Sequence, residues 1–234
     1  YGPPEQRFDP DRAVPEGLRA EFGLSPTELA LLPFVESAMN PVALSHAQAA
    51  GLWQFIPSTG RQFNLDQNWW VDDRRDVVKS TEAALDYLQK IYQMHGNDWF
   101  LALASYNWGE NAVARAVKRN EARGLPTDYL SLQMPNETRH YVPKLIAAAV
   151  IAKQPDRFGM ALSEASPLSY DSVVVYGVTG LDVIARLAEA SPAEIRDLNP
   201  QYLRLVTPPR STMVIRLPAG TGAAAAEGYA KLSP

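Results

Sequence analysis

Residues 79–94 read Lys-Ser-Thr-Glu-Ala-Ala-Leu-Asp-Tyr-Leu-Gln-Lys-Ile-Tyr-Gln-Met. Ala84, Leu88 and Ile91, with Leu85 and Tyr92 beside them, recur at three- and four-residue steps and form one apolar stripe. Glu82, Asp86, Gln89 and Lys90 fall mostly off it. That period belongs to an α-helix lying on a core. Outward from it the pattern stays helical: Trp99 to Tyr106 and Asn111 to Lys118 predict two further helices separated by Gly109, and His140 to Lys153 predicts another. Upstream, Ser25-Pro26-Thr27-Glu28 has the form of a helix start before the apolar run Leu29 to Val35, and helical spacing begins near Pro15 and runs through Leu18 and Phe22. Pro33 inside that run predicts a kink or an early stop. Residues 1–24, with Pro3, Pro4, Pro10 and Pro15, predict a lead-in that is at first extended.

The pattern changes after Pro155. Val173-Val-Val-Tyr176 is β-branched and strand-like, Gly180 to Ala190 is helical, and Ser191-Pro192-Ala193-Glu194 is a capping box with proline at the first helical position. That helix must stop at Asn199-Pro200, and Met213 to Leu217 predicts a returning strand. The order is β-α-α-β. Gly220-Thr-Gly-Ala-Ala-Ala-Ala-Glu-Gly is low in complexity and predicts a linker or tail over residues 219–234.

The 234 residues, 46% hydrophobic and 21% charged, suffice for one large domain, or a medium domain with a small module. There is no cysteine, so disulfides and thiolate chemistry are excluded. The net charge of −4 comes with no basic block, which argues against nucleic acid and leaves any anionic polymer to be bound by shape and stacking. His46, His95 and His140 lack metal-ligand spacing, and no nucleophile elbow or phosphate loop is present. No apolar run is long enough to cross a membrane. The start at Tyr1 reads as a fragment or processed form, with any export signal or lipid anchor upstream.

Glu36 stands out on physical grounds. It follows the apolar Leu29–Val35 run and precedes Ser37-Ala38-Met39. A carboxyl in such surroundings is partly desolvated, stays protonated near neutral pH and can donate to a glycosidic oxygen. The bland alternative, that Glu36 caps a helix or pairs with an arginine, stays open at this point. Trp53-Gln54-Phe55, Trp69-Trp70, Trp99 and Tyr106-Asn107-Trp108 suit a glycan groove, although most such aromatics serve as core.

Four segments together resemble the family 1 lytic transglycosylases: Glu36-Ser37; Gly51-Leu-Trp-Gln-Phe-Ile-Pro-Ser-Thr-Gly60; Ala104-Ser-Tyr-Asn-Trp-Gly109; and Glu137-Thr-Arg-His-Tyr-Val142. Gln67-Asn68-Trp69-Trp70 followed by Asp73-Arg74-Arg75-Asp76-Val77 is similar to the membrane-bound D-type branch. The likeness covers roughly residues 25–155. It implies a mainly α, lysozyme-like (goose-type) catalytic domain over 25–165. It also implies that Glu36 is general acid and then general base, with Ser45, Gln54, Tyr106, Asn107 and Tyr141 contacting or orienting substrate, Tyr141 close to the catalytic carboxyl, and Glu137 orienting the site. Trp53 and Trp108 stand where the wider family more often has methionine and a small residue.

Residues 166–218 resemble a LysM module, through Asp182-Val-Ile-Ala185, Ser191-Pro-Ala-Glu-Ile195, Leu198-Asn-Pro200 and Val214-Ile-Arg-Leu-Pro218. The usual Gly-Asp-Thr opening is replaced by Tyr176-Gly-Val-Thr-Gly180, so glycan binding and mere packing on the catalytic domain both remain open.

The resemblance implies peptidoglycan glycan strands as substrate, non-hydrolytic cleavage with a 1,6-anhydro product, no cofactor or metal, and a monomer. It implies a periplasmic location, with outer-membrane anchoring in the full-length protein. Two rival readings are a goose-type lysozyme, which would need a second carboxylate such as Asp72, Asp73, Asp76 or Glu110, each expected as a solvated surface charge, and a non-catalytic glycan-binding protein.

Overall fold

The computed structural model describes residues 29–161 and 168–232. The lead-in over 1–24 and the helix start at Ser25–Glu28 lie outside them. The described chain divides into two compact units: residues 29–39 with 81–161, and residues 40–80 with 168–232.

In the first unit, α1 (Leu32–Ser37) begins where a kink was expected. Pro33 occupies its first turn, where a missing N–H removes a donor that would have no helical partner anyway. Helix α3 (Val77–Met94), which follows α2 (Pro57–Gln62) of the second unit and crosses the division after Ser80, buries Ala83, Ala84, Tyr87, Leu88, Ile91 and Tyr92, the expected stripe with Ala83 and Tyr87 added and Leu85 only half-buried. Helix α4 (Trp99–Trp108) is capped by Asp98, whose carboxylate accepts from Leu101 N–H at 3.1 Å. Trp99 stacks on Tyr92 with ring centroids 4.1 Å apart. Gly109, at φ 93°, breaks the chain between α4 and α5 (Glu110–Glu121).

Helix α6 (Asn136–Lys153) starts four residues before the expected His140 and runs through Pro143. A proline there cannot donate to the carbonyl of Arg139. The Tyr129 hydroxyl, from the 3₁₀ turn Tyr129–Ser131, lies 2.9 Å from that carbonyl and 2.9 Å from the carbonyl of Thr138, and supplies a donor. Thr138, Tyr141, Val142, Leu145 and Ala149 form the buried face of α6.

In the second unit, residues 40–80 are mostly loop, with α2 (Pro57–Gln62) and a 3₁₀ turn at Asp73–Arg75. Then follow β1 (Tyr170–Tyr176), α7 (Leu181–Leu187), α8 (Pro192–Leu198) and β2 (Thr212–Pro218), the expected β-α-α-β order. The strands pair antiparallel with Val173 opposite Ile215 and Val175 opposite Met213. The capping box at Ser191 and Glu194 is formed in both directions.

Val173, Val175, Ile184, Ile195, Ile215 and Leu217 make the core between the sheet and its helices, and Val71 from the first segment is buried in the same core, with Trp70 packed against it. The expected linker or tail after 218 is instead α9 (Gly222–Ala230). Its Ala225 is fully buried in that core, and the Tyr229 hydroxyl accepts from Tyr176 N–H at 2.8 Å. Alanine is both the best helix former and small enough to pack closely, so a stretch that looks featureless serves as a helix.

Candidate active site

Glu36 is the fifth residue of the six in α1. Directly after the helix, Ala38 and Met39 both take left-handed backbone angles, φ 51° and 62°, which cost roughly 1–2 kcal/mol each for residues with a Cβ. Their N–H groups close the helix end on the carbonyls of Phe34 and Pro33, and the Ser37 hydroxyl also donates to Pro33. The strained turn thus sits immediately beside the carboxyl it presents.

The Tyr141 hydroxyl on α6 donates to Glu36 Oε1 at 2.5 Å. Burial pushes the Glu36 carboxyl up to about 7; the Tyr141 hydrogen bond pulls it down and the negative charge of Glu137 adds to the rise. Burial also raises the Tyr141 and Tyr106 hydroxyls well above their usual range, and the nearby Glu36 charge raises both further. The two phenols therefore stay protonated and act as donors. Asn107 is fixed by α6: its Oδ1 accepts from the Thr138 hydroxyl at 2.8 Å. The structure thus gathers Glu36, Tyr106 and Tyr141, sets Asn107 beside α6, and leaves Glu137 exposed with its charge felt at Glu36. Glu137 also borders an open depression of about 550 Å³ with His140 and Lys144; Glu36 and Tyr141 are not in its wall.

Ser45 and Gln54 belong to the second unit. Ser45 closes a small loop, its hydroxyl accepting from Ala49 N–H at 3.0 Å. Gln54 has φ 50° and donates Nε2 to the Gly51 carbonyl at 2.8 Å. Gly51, at φ 83°, admits no side chain, because a Cβ would lie 1.7 Å from the Arg74 carbonyl oxygen. Trp53 and Phe55 beside Gln54 are core residues, as is Trp99, whereas Trp69 is 68% exposed with the Arg204 guanidinium 3.6 Å over its ring.

The carboxylates weighed for a lysozyme are not solvated surface charges. Asp72 pairs with Arg74 at 2.8 Å, Asp73 with Lys79 at 2.8 Å and Asp76 with Arg216 at 2.8 Å, and all three aspartates are buried. Each occupies an interior position that only a partnered charge can hold. Glu110, partly buried, accepts from the Tyr87 hydroxyl at 2.8 Å and lies 3.5 Å from Lys90. Burial works to raise its carboxyl, but its own backbone N–H, Tyr87 and Lys90 outweigh that and hold it below the usual range.

Sequence reasoning missed Tyr87, whose ring lies 5.4 Å from that of Tyr106, and Thr138, which holds Asn107. Both sit on the buried faces of their helices, where the helical period marks them only as core. His95 has a structural role as well, since a ring nitrogen lies 2.6 Å from the Ser105 hydroxyl, and burial lowers its pKa despite Asp98 and Glu110. Among the described residues no cluster of histidine, aspartate and glutamate could hold a metal ion.

Residues 15–126 match the transglycosylase SLT domain, and residues 169–234 match the LysM-like domain of lytic transglycosylase MltD. The LysM-like match runs through α9, in agreement with a helix that completes the core. Membrane-bound lytic murein transglycosylase D of Escherichia coli (strain K12) is 53% identical over 137 residues, which are 58% of this chain and 30% of that protein. A protein of Alteromonas sp. (strain M-1) named for tributyltin chloride resistance is 36% identical over 132 residues, 56% of this chain and 62% of its own length. Among solved structures, the 70 kDa soluble lytic transglycosylase of Escherichia coli is 26% identical with a TM-score of 0.43, over 56% of this chain and 22% of that one. The chain thus spans about a third of the Escherichia coli membrane-bound relative. Glu36, Ser45, Gln54, Tyr106 and Asn107 lie inside the residues that match the SLT domain, and Glu137 and Tyr141 follow them.

Proposed function

We propose that this chain is a peptidoglycan lytic transglycosylase, cleaving the β-1,4 bond from N-acetylmuramic acid to N-acetylglucosamine with Glu36 as its one catalytic carboxyl. The observation that carries the reading is a carboxyl poised at about 7 and hydrogen-bonded by Tyr141 at 2.5 Å. Near neutral pH a large fraction of it holds the proton that the leaving glucosamine O4 needs. As the bond breaks, the substrate's acetamido carbonyl stabilises the developing cation. Glu36, now ionised, takes the proton from the muramic C6 hydroxyl; that oxygen closes on C1 and forms the 1,6-anhydro ring. Intramolecular attack has a large proximity advantage over free water.

Ser45, Gln54, Tyr106, Asn107 and Tyr141 serve as substrate-binding residues and Glu137 as an orienting one. With its Nε2 on the Gly51 carbonyl, Gln54 has its Oε1 to offer to a sugar N–H. On this reading residues 25–165 do the chemistry in a lysozyme-like fold and the module from 166 accompanies them. On this reading the protein works in the periplasm, as a monomer without a cofactor. The partners of the four carboxylates weighed for it disfavour the goose-type lysozyme alternative: Asp72, Asp73 and Asp76 are each paired with a cation, and Glu110 is held by Tyr87 and Lys90. The test is release of soluble muropeptides from purified sacculi: the wild type releases them and Glu36→Gln is slower by about 10²–10⁴-fold. Equal release by both would remove Glu36 from the mechanism.

A further inference from the structure

Arg216 lies on β2 in the LysM-like domain, yet its guanidinium is turned inward. It donates to both oxygens of Asp76, at 2.8 and 3.0 Å, with the Asp76 side chain 2% exposed and that of Arg216 14%. Asp76 Oδ1 also accepts from the N–H groups of Val78 and Lys79, each at 3.0 Å. One buried carboxylate thus ties β2 to the start of α3.

The connection continues within the same unit. Asp76 N–H closes the 3₁₀ turn on the Asp73 carbonyl at 3.1 Å. Arg74, in that turn, sends Nη1 to the Gln48 carbonyl at 2.7 Å and to the Phe55 carbonyl at 3.0 Å, so it holds both ends of the loop between them. The Arg74 carbonyl is packed directly on Gly51, and Gly51 anchors the Gln54 amide. Beside this path the backbones of the two segments are bonded: Leu203 N–H to the Trp70 carbonyl at 2.9 Å and Asp72 N–H to the Gln201 carbonyl at 3.0 Å.

We propose that Arg216 is a positioning residue: through Asp76 and the Arg74 turn, the LysM-like domain holds the 48–56 loop that presents Gln54. A bidentate guanidinium–carboxylate pair fixes direction as well as distance, and removing the guanidinium leaves a buried carboxylate without its cation. The LysM-like domain is then a strut for the loop and not a freely swinging tether. The catalytic consequence rests on the reading of Gln54 as a substrate contact; the mechanical coupling does not, and two readouts separate them.

The experiment is amide hydrogen exchange by mass spectrometry on the full chain, comparing wild type, Arg216→Gln and Arg216→Lys, together with kinetics on sacculi. Exchange of peptides covering 48–56 should rise roughly tenfold or more in Arg216→Gln, with peptides from 99–121 unchanged and Arg216→Lys in between. The apparent KM should rise several-fold more than kcat falls. Unchanged exchange over 48–56 overturns the proposal. If exchange rises throughout Arg216→Gln, Arg216→Lys decides: a rise confined to the second unit that includes 48–56 supports the strut, and no rise over 48–56 overturns it. A wild type inactive on sacculi would sink the transglycosylase reading while the exchange result still stands.

Discussion

Glu36 meets Tyr141 at 2.5 Å while Ala38 and Met39 turn the chain away in the left-handed region. Its protonation follows from burial, offset by one hydrogen bond and reinforced by one like charge, so single substitutions should move it in opposite directions. The alkaline limb of kcat/KM on sacculi should fall with an apparent pKa near 7. Tyr141→Phe removes a bond that favours the ionised form and should move that limb to higher pH with loss of rate; Glu137→Gln should move it lower. A limb that ignores both would remove Glu36 as the titrating group. The same shift affects stability. Between the ordinary carboxyl value of 4.5 and about 7, the folded state keeps a proton that the unfolded state has lost, so stability falls as pH rises through that window and the penalty is complete above it. Glu36→Gln should therefore match the wild type in thermal unfolding at pH 4 and exceed it at pH 8, by about 1–3 kcal/mol. Gly51→Ala should act the other way, losing about 2–3 kcal/mol or more in denaturant titrations, because φ 83° and a carbonyl 1.7 Å from the new Cβ leave it no relaxed position.

Elements came out of the sequence where periodicity and capping chemistry agreed. The apolar stripe of α3 and the Ser191–Glu194 capping box of α8 are written in single residues and both formed. The misses have physical causes. The early start of α6 is hidden by Pro143, because proline inside a helix is disfavoured by local rules, and the donor it lacks is supplied here by a tyrosine from another element. Tyr129→Phe should therefore cost about 1–2 kcal/mol, read as a lowered midpoint in urea, by leaving the Arg139 carbonyl without its donor. A loss no larger than that of an exposed tyrosine would mean that water replaces the hydroxyl. Likewise α9 contains four consecutive alanines, Ala223 to Ala226, of which Ala225 alone is buried, and that contact shows only once the core it enters is known.

At the scale of the whole molecule, the second unit joins residues distant in the chain, with Val71 in the core of the β-α-α-β module. No local pattern announces this, since a lone valine beside Trp69-Trp70 carries no period. Val71→Ala should lower the stability of the second unit by about 1.5–3 kcal/mol and speed hydrogen exchange in β1 and β2, both far from it in sequence. Of the candidate site, the motif residues were legible one by one. The resemblance already implied that Tyr141 lies close to the Glu36 carboxyl; that Asp72, Asp73 and Asp76 are interior ion pairs and not surface charges was not legible, because it depends on contacts between elements. The central claim is that one carboxyl suffices because the substrate's own hydroxyl replaces water. Mass spectrometry of the glycan ends released from sacculi tests it most directly. The account predicts 1,6-anhydromuramic ends from the wild type and almost none from Glu36→Gln; reducing ends from the wild type would mean that water attacks and would contradict it.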